Sequence, residues 1–230
     1  MAWIASEHDP DWPFDLFATN FTLDPVTTAL LVVDMQGSDL TIDPDGELGR
    51  RYPDIPVYYN HRMTEIVVPN IGRLLEDFRS AGRRVVYTRN GRITPHGDEL
   101  TARLRRHRPK PGAPPRYRGT PAYDVMPDIA PREDELIVDK LTSGAFNASI
   151  LDHSLRNMGV TDVVIVGIAT DMCVFGTARV AAELGYNALL CEDGCCTYTP
   201  RAQEDAMLMH ARVFGRVATT ADILDELKSA

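Results

Sequence analysis

The chain has 230 residues, 44% of them hydrophobic and 25% charged, and a formal net charge of -9. That length suits one α/β domain with its own core, and the composition excludes a disordered chain. The acidic balance argues against a nucleic-acid partner, no apolar run approaches the roughly 20 residues of a membrane span, and the acidic N-terminus lacks a signal peptide's basic start, so a cytoplasmic protein is expected.

Residues 1–25 carry both tryptophans, Trp3 and Trp12, and read as an N-terminal arm ahead of a single domain over 26–230. The first apolar run is "TALLVVD" (28–34), followed by a long insertion at 35–66. A helix is expected over 68–81, where Ile71, Leu74, Leu75 and Phe78 fall at i, i+3, i+4 and i+7 before Gly82. The run "RRVVYTR" (83–89) leads into a second insertion, 90–133, which holds "RPKPGAPPRYRGTP" and the basic cluster Arg103, Arg105, Arg106, Arg108 and Lys110. That cluster reads as a solvated face or as a site for an anionic partner. After "ELIVDK" (135–140) a helix is expected over 147–158, with Asn147 as its cap, Ile150, Leu151, Leu155 and Met158 as its stripe and Gly159 as its stop. Strands at 162–168, 187–193 and 215–219 then alternate with helices at 173–184, 200–213 and 220–228, the last capped by Thr220.

The apolar runs are continuous, as in strands buried on both faces, and they alternate with helices. This implies a doubly wound, Rossmann-like three-layer α/β/α fold with a six-stranded, mainly parallel sheet. Ligands of such sheets bind beyond the carboxyl ends of the strands. Asp34 ends the first strand, Lys140 the third, and the fourth leads to Cys173. A carboxylate, an ammonium and a thiol therefore converge on one rim. Cys173 starts the helix expected at 173–184, where free N–H groups and a nearby cation would favour the thiolate, and Asp34 is placed to take its proton. Taken singly, Asp34 and Lys140 also suit strand ends returning to solvent, and a cysteine suits a small core residue. The other cysteines, Cys191, Cys195 and Cys196, have no zinc-ribbon spacing and read as free thiols.

Three segments, "LLVVDMQ", "IVDKLTSGAF" and "VIVGIATDMCVFGTAR", resemble in order and spacing the motifs of the isochorismatase-like cysteine hydrolases. That superfamily includes nicotinamidase, N-carbamoylsarcosine amidase, biuret hydrolase and ureidoacrylate hydrolase. The resemblance implies Asp34 as general base, Lys140 as its charge partner and Cys173 as nucleophile. It also implies a cis peptide between Ile168 and Ala169, and an oxyanion hole from the N–H groups of Ala169 and Cys173. It implies cleavage of a C–N bond in a small amide or ureido compound through a thioester, no cofactor, and a homodimer or homotetramer, for which aromatic residues on the arm suit subunit docking.

Isochorismatases proper, which are ether hydrolases, lack the cysteine. Nicotinamidases carry a metal-binding Asp-x-His, whereas here His96 precedes Asp98, so no catalytic metal is expected. A catalytically silent interaction domain would be expected to lose one of Asp34, Lys140 and Cys173. Gln36 and Asn90 are candidates to hydrogen-bond a carbamoyl group or to tie down a loop, and Thr170 is a third substrate-side candidate. Tyr58 and Tyr59 suit a pocket lid or an interface.

Overall fold

A computed structural model of the chain describes residues 2–37, 40–105 and 115–229. Arg106, Arg108 and Lys110 of the basic cluster lie outside these residues, as do the side chains of Arg103 and Arg105. The strands are β1 (Thr28–Val33), β2 (Arg84–Asn90), β3 (Leu136–Lys140), β4 (Asp162–Ile168), β5 (Asn187–Cys196) and β6 (Arg216–Ala218). They form a single parallel sheet in the order β3-β2-β1-β4-β5-β6. The chain starts at the centre and winds outward in both directions. The direction reverses between β1 and β4, so the rim there is the switch point where ligands bind. Every residue of β1 is buried, because helices cover both faces.

The helices are α1 (Ala5–His8), α2 (Phe14–Phe17), α3 (Glu47–Arg51), α4 (Asp54–His61), α5 (Val68–Ser80), α6 (Ala102–Arg105), α7 (Leu151–Asn157), α8 (Phe175–Glu183), α9 (Pro200–Val213) and α10 (Thr220–Ser229). On α5 the residues buried are Ile71, Leu74, Leu75 and Phe78, the expected stripe. This helix is longer than the stripe suggests, since a π-helical segment, Arg62–Val67, joins it to α4 inside the first insertion. Among the described residues, no helix is long and apolar enough to cross a membrane.

Three local expectations are corrected. The helix expected at 147–158 begins only at Leu151, because Ala148 takes a left-handed φ of 52° and the Ser149 hydroxyl caps Leu151 N–H; Asn147 is not the cap, and Ile150 is 58% exposed. The cap of α10 is Thr219, whose hydroxyl accepts from Asp222 N–H while the Asp222 carboxylate accepts from Thr219 N–H. Thr220 instead donates its N–H and hydroxyl to Asp193. Strand β5 runs to Cys196 and bulges: Ile165 pairs with Leu190, yet Gly167 pairs with Cys195.

The arm folds back onto its own chain. Trp3 stacks on His8 and packs against the core, and the Arg212 guanidinium on α9 lies over the Trp12 ring while pairing with Asp9. Both tryptophans are thus engaged within the subunit.

Candidate active site

Asp34 is the first residue after β1 and adopts φ 55°. Its N–H donates to the Thr88 carbonyl on β2, and its own carbonyl accepts from Gln36 N–H. The carboxylate is buried. Thr88 Oγ1 donates to Oδ1 at 2.7 Å, and Lys140 Nζ lies 2.7 Å from Oδ2. Lys140 is almost fully enclosed at the end of β3, and it also donates to the carbonyls of Thr142 and Ser143 at 3.0 and 2.7 Å. A buried ammonium is tolerated where its donors are met, and here a carboxylate and two carbonyls meet them.

Strand β4 delivers the thiol. Gly167 has φ 118°, and a Cβ there would sit 2.1 Å from the Val33 carbonyl oxygen, so only glycine lets β4 run this close to β1 beside the site. The Ile168–Ala169 peptide is cis. Next comes a π-helical turn, Thr170–Val174, in which the Ala169 carbonyl accepts from both Met172 and Val174 N–H. Cys173 therefore sits inside this wide turn, and the α-helix starts only at Phe175, two residues later than expected. The turn is pinned from two sides: Thr170 Oγ1 donates to Gln203 Oε1 on α9, and Thr177 Oγ1 donates to the Cys173 carbonyl. Thr177 in turn accepts from Ala145 N–H in the loop beyond Lys140.

The thiol borders the cavity together with Asp34, near enough to Asp34 and Lys140 for both to act on its titration, and Asn90 Nδ2 approaches its sulfur at 3.7 Å. Burial first, and then the negative charge of Asp34, push the Cys173 pKa up to about 12, with Lys140 opposing. This reverses the expected thiolate. Desolvation outweighs the nearby cation, which favours the thiol over the thiolate at rest.

A cavity of about 880 Å3 opens over the thiol, bounded by Asp34, Asn90, Ile168, Ala169 and Cys173 at its floor and by Tyr59, Tyr198 and the 92–98 loop above. Asn90 lines it beside the sulfur. Gln36 borders it but is committed to the protein: its Nε2 donates to the Tyr123 carbonyl at 2.6 Å, and its Oε1 accepts from Asn90 N–H at 2.7 Å. Thr170 is fully buried, tied to Gln203, and does not line the cavity. Tyr59 lines the wall, stacked on Tyr198, whereas Tyr58 does not. His96 and Asp98 border the cavity, but among the described residues no three His, Cys, Asp or Glu side chains cluster closely enough to hold a metal ion.

Sequence reasoning missed Thr88, Gln203 and Tyr123, which hold the site from behind. Thr88 is a polar residue in the apolar run of β2, Gln203 one of several polar residues on α9, and Tyr123 acts through its backbone carbonyl, so the sequence offers a signal only for Thr88.

The sheet and its rim define a class: a doubly wound α/β protein with a thiol, a carboxylate and an ammonium gathered at the topological switch point under an open cavity. Residues 28–222 match the isochorismatase domain model. A ureidoacrylate amidohydrolase, RutB, of Caulobacter segnis is 32% identical over 213 residues, covering 87% of this chain and 85% of that protein. The RutB of Agrobacterium fabrum is 30% identical, over 91% of this chain and 93% of its own. Among solved structures, a cysteine hydrolase from Pseudomonas syringae pv. phaseolicola superposes with a TM-score of 0.73 at 26% identity, over 92% of this chain and 97% of that one. The N-carbamoylsarcosine amidase of Thermoplasma acidophilum gives 0.63 at 25%, over 84% and 96%. The chain belongs to the isochorismatase family of hydrolases.

Proposed function

We propose that this protein is a cysteine-dependent amidohydrolase that cleaves a C–N bond of a small amide, carbamoyl or ureido compound. The observation that carries the reading is the Asp34 carboxylate, held by Lys140 and Thr88, bordering the same cavity as the Cys173 thiol and near enough to act on its titration. A thiol that is protonated at rest needs a base at the moment of attack, and Asp34 is in place to be one.

As the Cys173 sulfur bonds to the substrate carbonyl carbon, its proton passes to Asp34. The carbonyl oxygen, now an oxyanion, is held by the N–H groups of Ala169 and Cys173, each such donor contributing roughly 3 kcal/mol of barrier lowering. Asp34 then gives the proton to the departing nitrogen, the C–N bond breaks, and a thioester remains. Water, deprotonated by Asp34, hydrolyses it and restores the thiol. Lys140 keeps its charge throughout and sets the carboxylate's orientation. Asn90, against the sulfur, is placed to hydrogen-bond the acyl group. The names of the relatives, a ureidoacrylate amidohydrolase and an N-carbamoylsarcosine amidase, agree with this reaction class.

The test is an ammonia-release screen over small amides, ureido acids, biuret and nicotinamide, run with a chelator present. Cys173→Ala should abolish release from every compound that the native protein hydrolyses while keeping the native circular-dichroism spectrum. Undiminished hydrolysis by that variant would refute the assignment. Loss of native activity on chelation, restored by zinc, would replace the metal-free mechanism.

A further inference from the structure

Strand β2 outruns its neighbour β1 at the rim, which leaves the last N–H of β2 without a strand partner. Asp34 N–H donates to the Thr88 carbonyl at 3.1 Å, so the next bond of a parallel ladder would run from Asn90 N–H to the Asp34 carbonyl. That bond is absent. Asp34 turns aside with φ 55° and gives its carbonyl to Gln36 N–H at 2.8 Å. Asn90 N–H donates instead to Gln36 Oε1 at 2.7 Å. A side-chain carbonyl thus replaces the backbone carbonyl that β1 withdraws when Asp34 leaves the strand.

The Gln36 amide is fixed at both ends. Its Nε2 donates to the Tyr123 carbonyl at 2.6 Å, and the residue is only 2% exposed. A donor on one side and an acceptor on the other permit one orientation, with oxygen toward Asn90 and nitrogen toward Tyr123. Tyr123 is held in turn. It is fully buried, its N–H donates to the Thr120 carbonyl at 2.9 Å, and the Arg89 guanidinium lies 5.1 Å from its ring centroid while pairing with Asp139 at 2.8 Å. The backbone around Gln36 is clamped as well: Gly37 N–H donates to the Asp124 carbonyl and Met126 N–H to the Met35 carbonyl, at 2.8 and 2.9 Å, about an antiparallel bridge between Gln36 and Val125.

The residue so held is the one that meets the sulfur. Thr88 and Asn90 are two apart on β2 and line one face. Thr88 Oγ1 reaches the Asp34 carboxylate, and Asn90 Nδ2 approaches Cys173 Sγ at 3.7 Å. On the far side Asn90 pairs with Lys140 of β3, and Gly91 N–H donates to the Lys140 carbonyl at 3.4 Å. The chain turns out of the strand at Gly91, where φ is 143° and a Cβ would meet the Tyr123 ring at 3.2 Å. Asn90 is therefore a strand end, the kind of position that frays unless it is tied.

We propose that Gln36 is a positioning residue: it supplies the missing ladder bond, holds Asn90 against the Cys173 sulfur, and so acts on the nucleophile through Asn90 without touching substrate. The inference deepens the amidohydrolase reading, on which it rests for what Asn90 does in turnover, but the tie itself needs no substrate.

Alkylation of Cys173 by iodoacetamide near pH 8 reads the tie directly. An N–H aimed at the sulfur favours the thiolate, the form that reacts. Asn90→Ala should slow alkylation roughly 3- to 10-fold, the scale of one hydrogen bond. Gln36→Met keeps the length but offers Asn90 no acceptor, and it should slow the reaction by a similar factor. The double variant should be no slower than Asn90→Ala alone. Factors that multiply in the double variant, or a native rate in either single variant, would overturn the positioning role, because a loss unrelated to Asn90 persists when Asn90 is gone. The same non-additivity should appear in kcat/KM for each compound of the ammonia-release screen that the native protein hydrolyses. If no compound is hydrolysed while the alkylation rates still fail to multiply, the positioning role stands and the reaction assignment falls. Should Gln36→Met not fold, amide exchange in the native protein decides: Asn90 N–H should exchange at least ~10-fold more slowly than an unprotected amide, and an unprotected rate there overturns the tie.

Discussion

Lys140 and Asp34 form an ion pair with side chains 0% and 7% exposed and an N–O distance of 2.7 Å, so neutralising one member strands the other in a water-poor setting. Lys140→Met keeps the length and removes the charge. The Asp34 carboxylate is then left with Thr88 as its fixed donor, and the Thr142 and Ser143 carbonyls lose theirs. The uncompensated charge should cost about 3–5 kcal/mol, and each orphaned carbonyl about 1 kcal/mol more. Asp34→Asn strands the ammonium and should cost a similar amount. Both singles remain measurable if the native stability lies above that loss, in the upper part of the usual range of about 5–15 kcal/mol. The double variant has no buried charge, so it should be more stable than Lys140→Met alone, with a coupling energy of several kcal/mol. Urea unfolding of the four proteins at pH 7, fitted with a common slope, measures this. Additive losses would show that the two charges are each solvated independently, and would remove the basis for a fixed general base. All three variants should be inactive, so the double variant should recover stability without recovering turnover.

Two further outcomes follow from buried titratable groups. Because the Cys173 pKa is raised from 9.0 to about 12, its alkylation by iodoacetamide should rise close to tenfold per pH unit between roughly pH 7 and 10, as tracked by peptide mass spectrometry. A rate already level at pH 6–7 would mean a resting thiolate and would contradict the protonated site. His210 is fully buried with Nε2 3.0 Å from the Ala188 carbonyl, and burial lowers its pKa from 6.5 to about 4. A depressed histidine contributes stability that is complete above its unfolded value of 6.5 and is lost as pH falls from there towards 4. The whole contribution is about 3 kcal/mol, of which roughly 2 kcal/mol should disappear between pH 7 and pH 5. His210→Gln, which can still donate to Ala188, should show a flatter urea midpoint over that interval; parallel curves would dismiss the histidine as the cause.

The sheet was legible because its signal is local. Continuous runs such as "TALLVV" and "DVVIVGI" can be buried on both faces only in a covered parallel sheet, and glycines such as Gly82 and Gly159 stop the helices with left-handed φ of 66° and 72°. Bringing Asp34, Lys140 and Cys173 to one place needed only the rule that strand ends share a rim. The state of the thiol was not legible, since desolvation depends on what covers a group in three dimensions, and it outweighs the nearby cation that the rim pattern makes obvious. Gln36 and Thr170 looked like substrate contacts for a related reason. A polar residue near a site has the same sequence signature whether it faces the ligand or, as these two do, spends its atoms on the backbone of Tyr123 and Asn90 or on Gln203. The π-helical turn was equally hidden, because an extra residue in a turn leaves the apolar stripe Val174, Ala178 and Ala181 intact.

On the proposed mechanism, these hidden parts would let a protonated thiol serve as the nucleophile. A free thiolate in this cavity would be stabilised by Lys140 but repelled by Asp34, so charge separation before the substrate arrives gains little. If the proton moves to Asp34 as sulfur bonds to carbon, the negative charge passes from the carboxylate to the substrate oxygen, and Lys140 never faces two anions at once. That transfer requires the carboxylate and the sulfur to stay in register. Two ties provide this: Thr88 fixes Asp34 to β2, and Thr177 joins the Cys173 carbonyl to the loop beyond Lys140. Both are bonds from buried threonines, 2.7 and 2.6 Å long, and β-branched side chains lose little rotamer freedom on being fixed. The reactive groups thus come from three strand ends, but their alignment depends on cross-links that no strand end reveals.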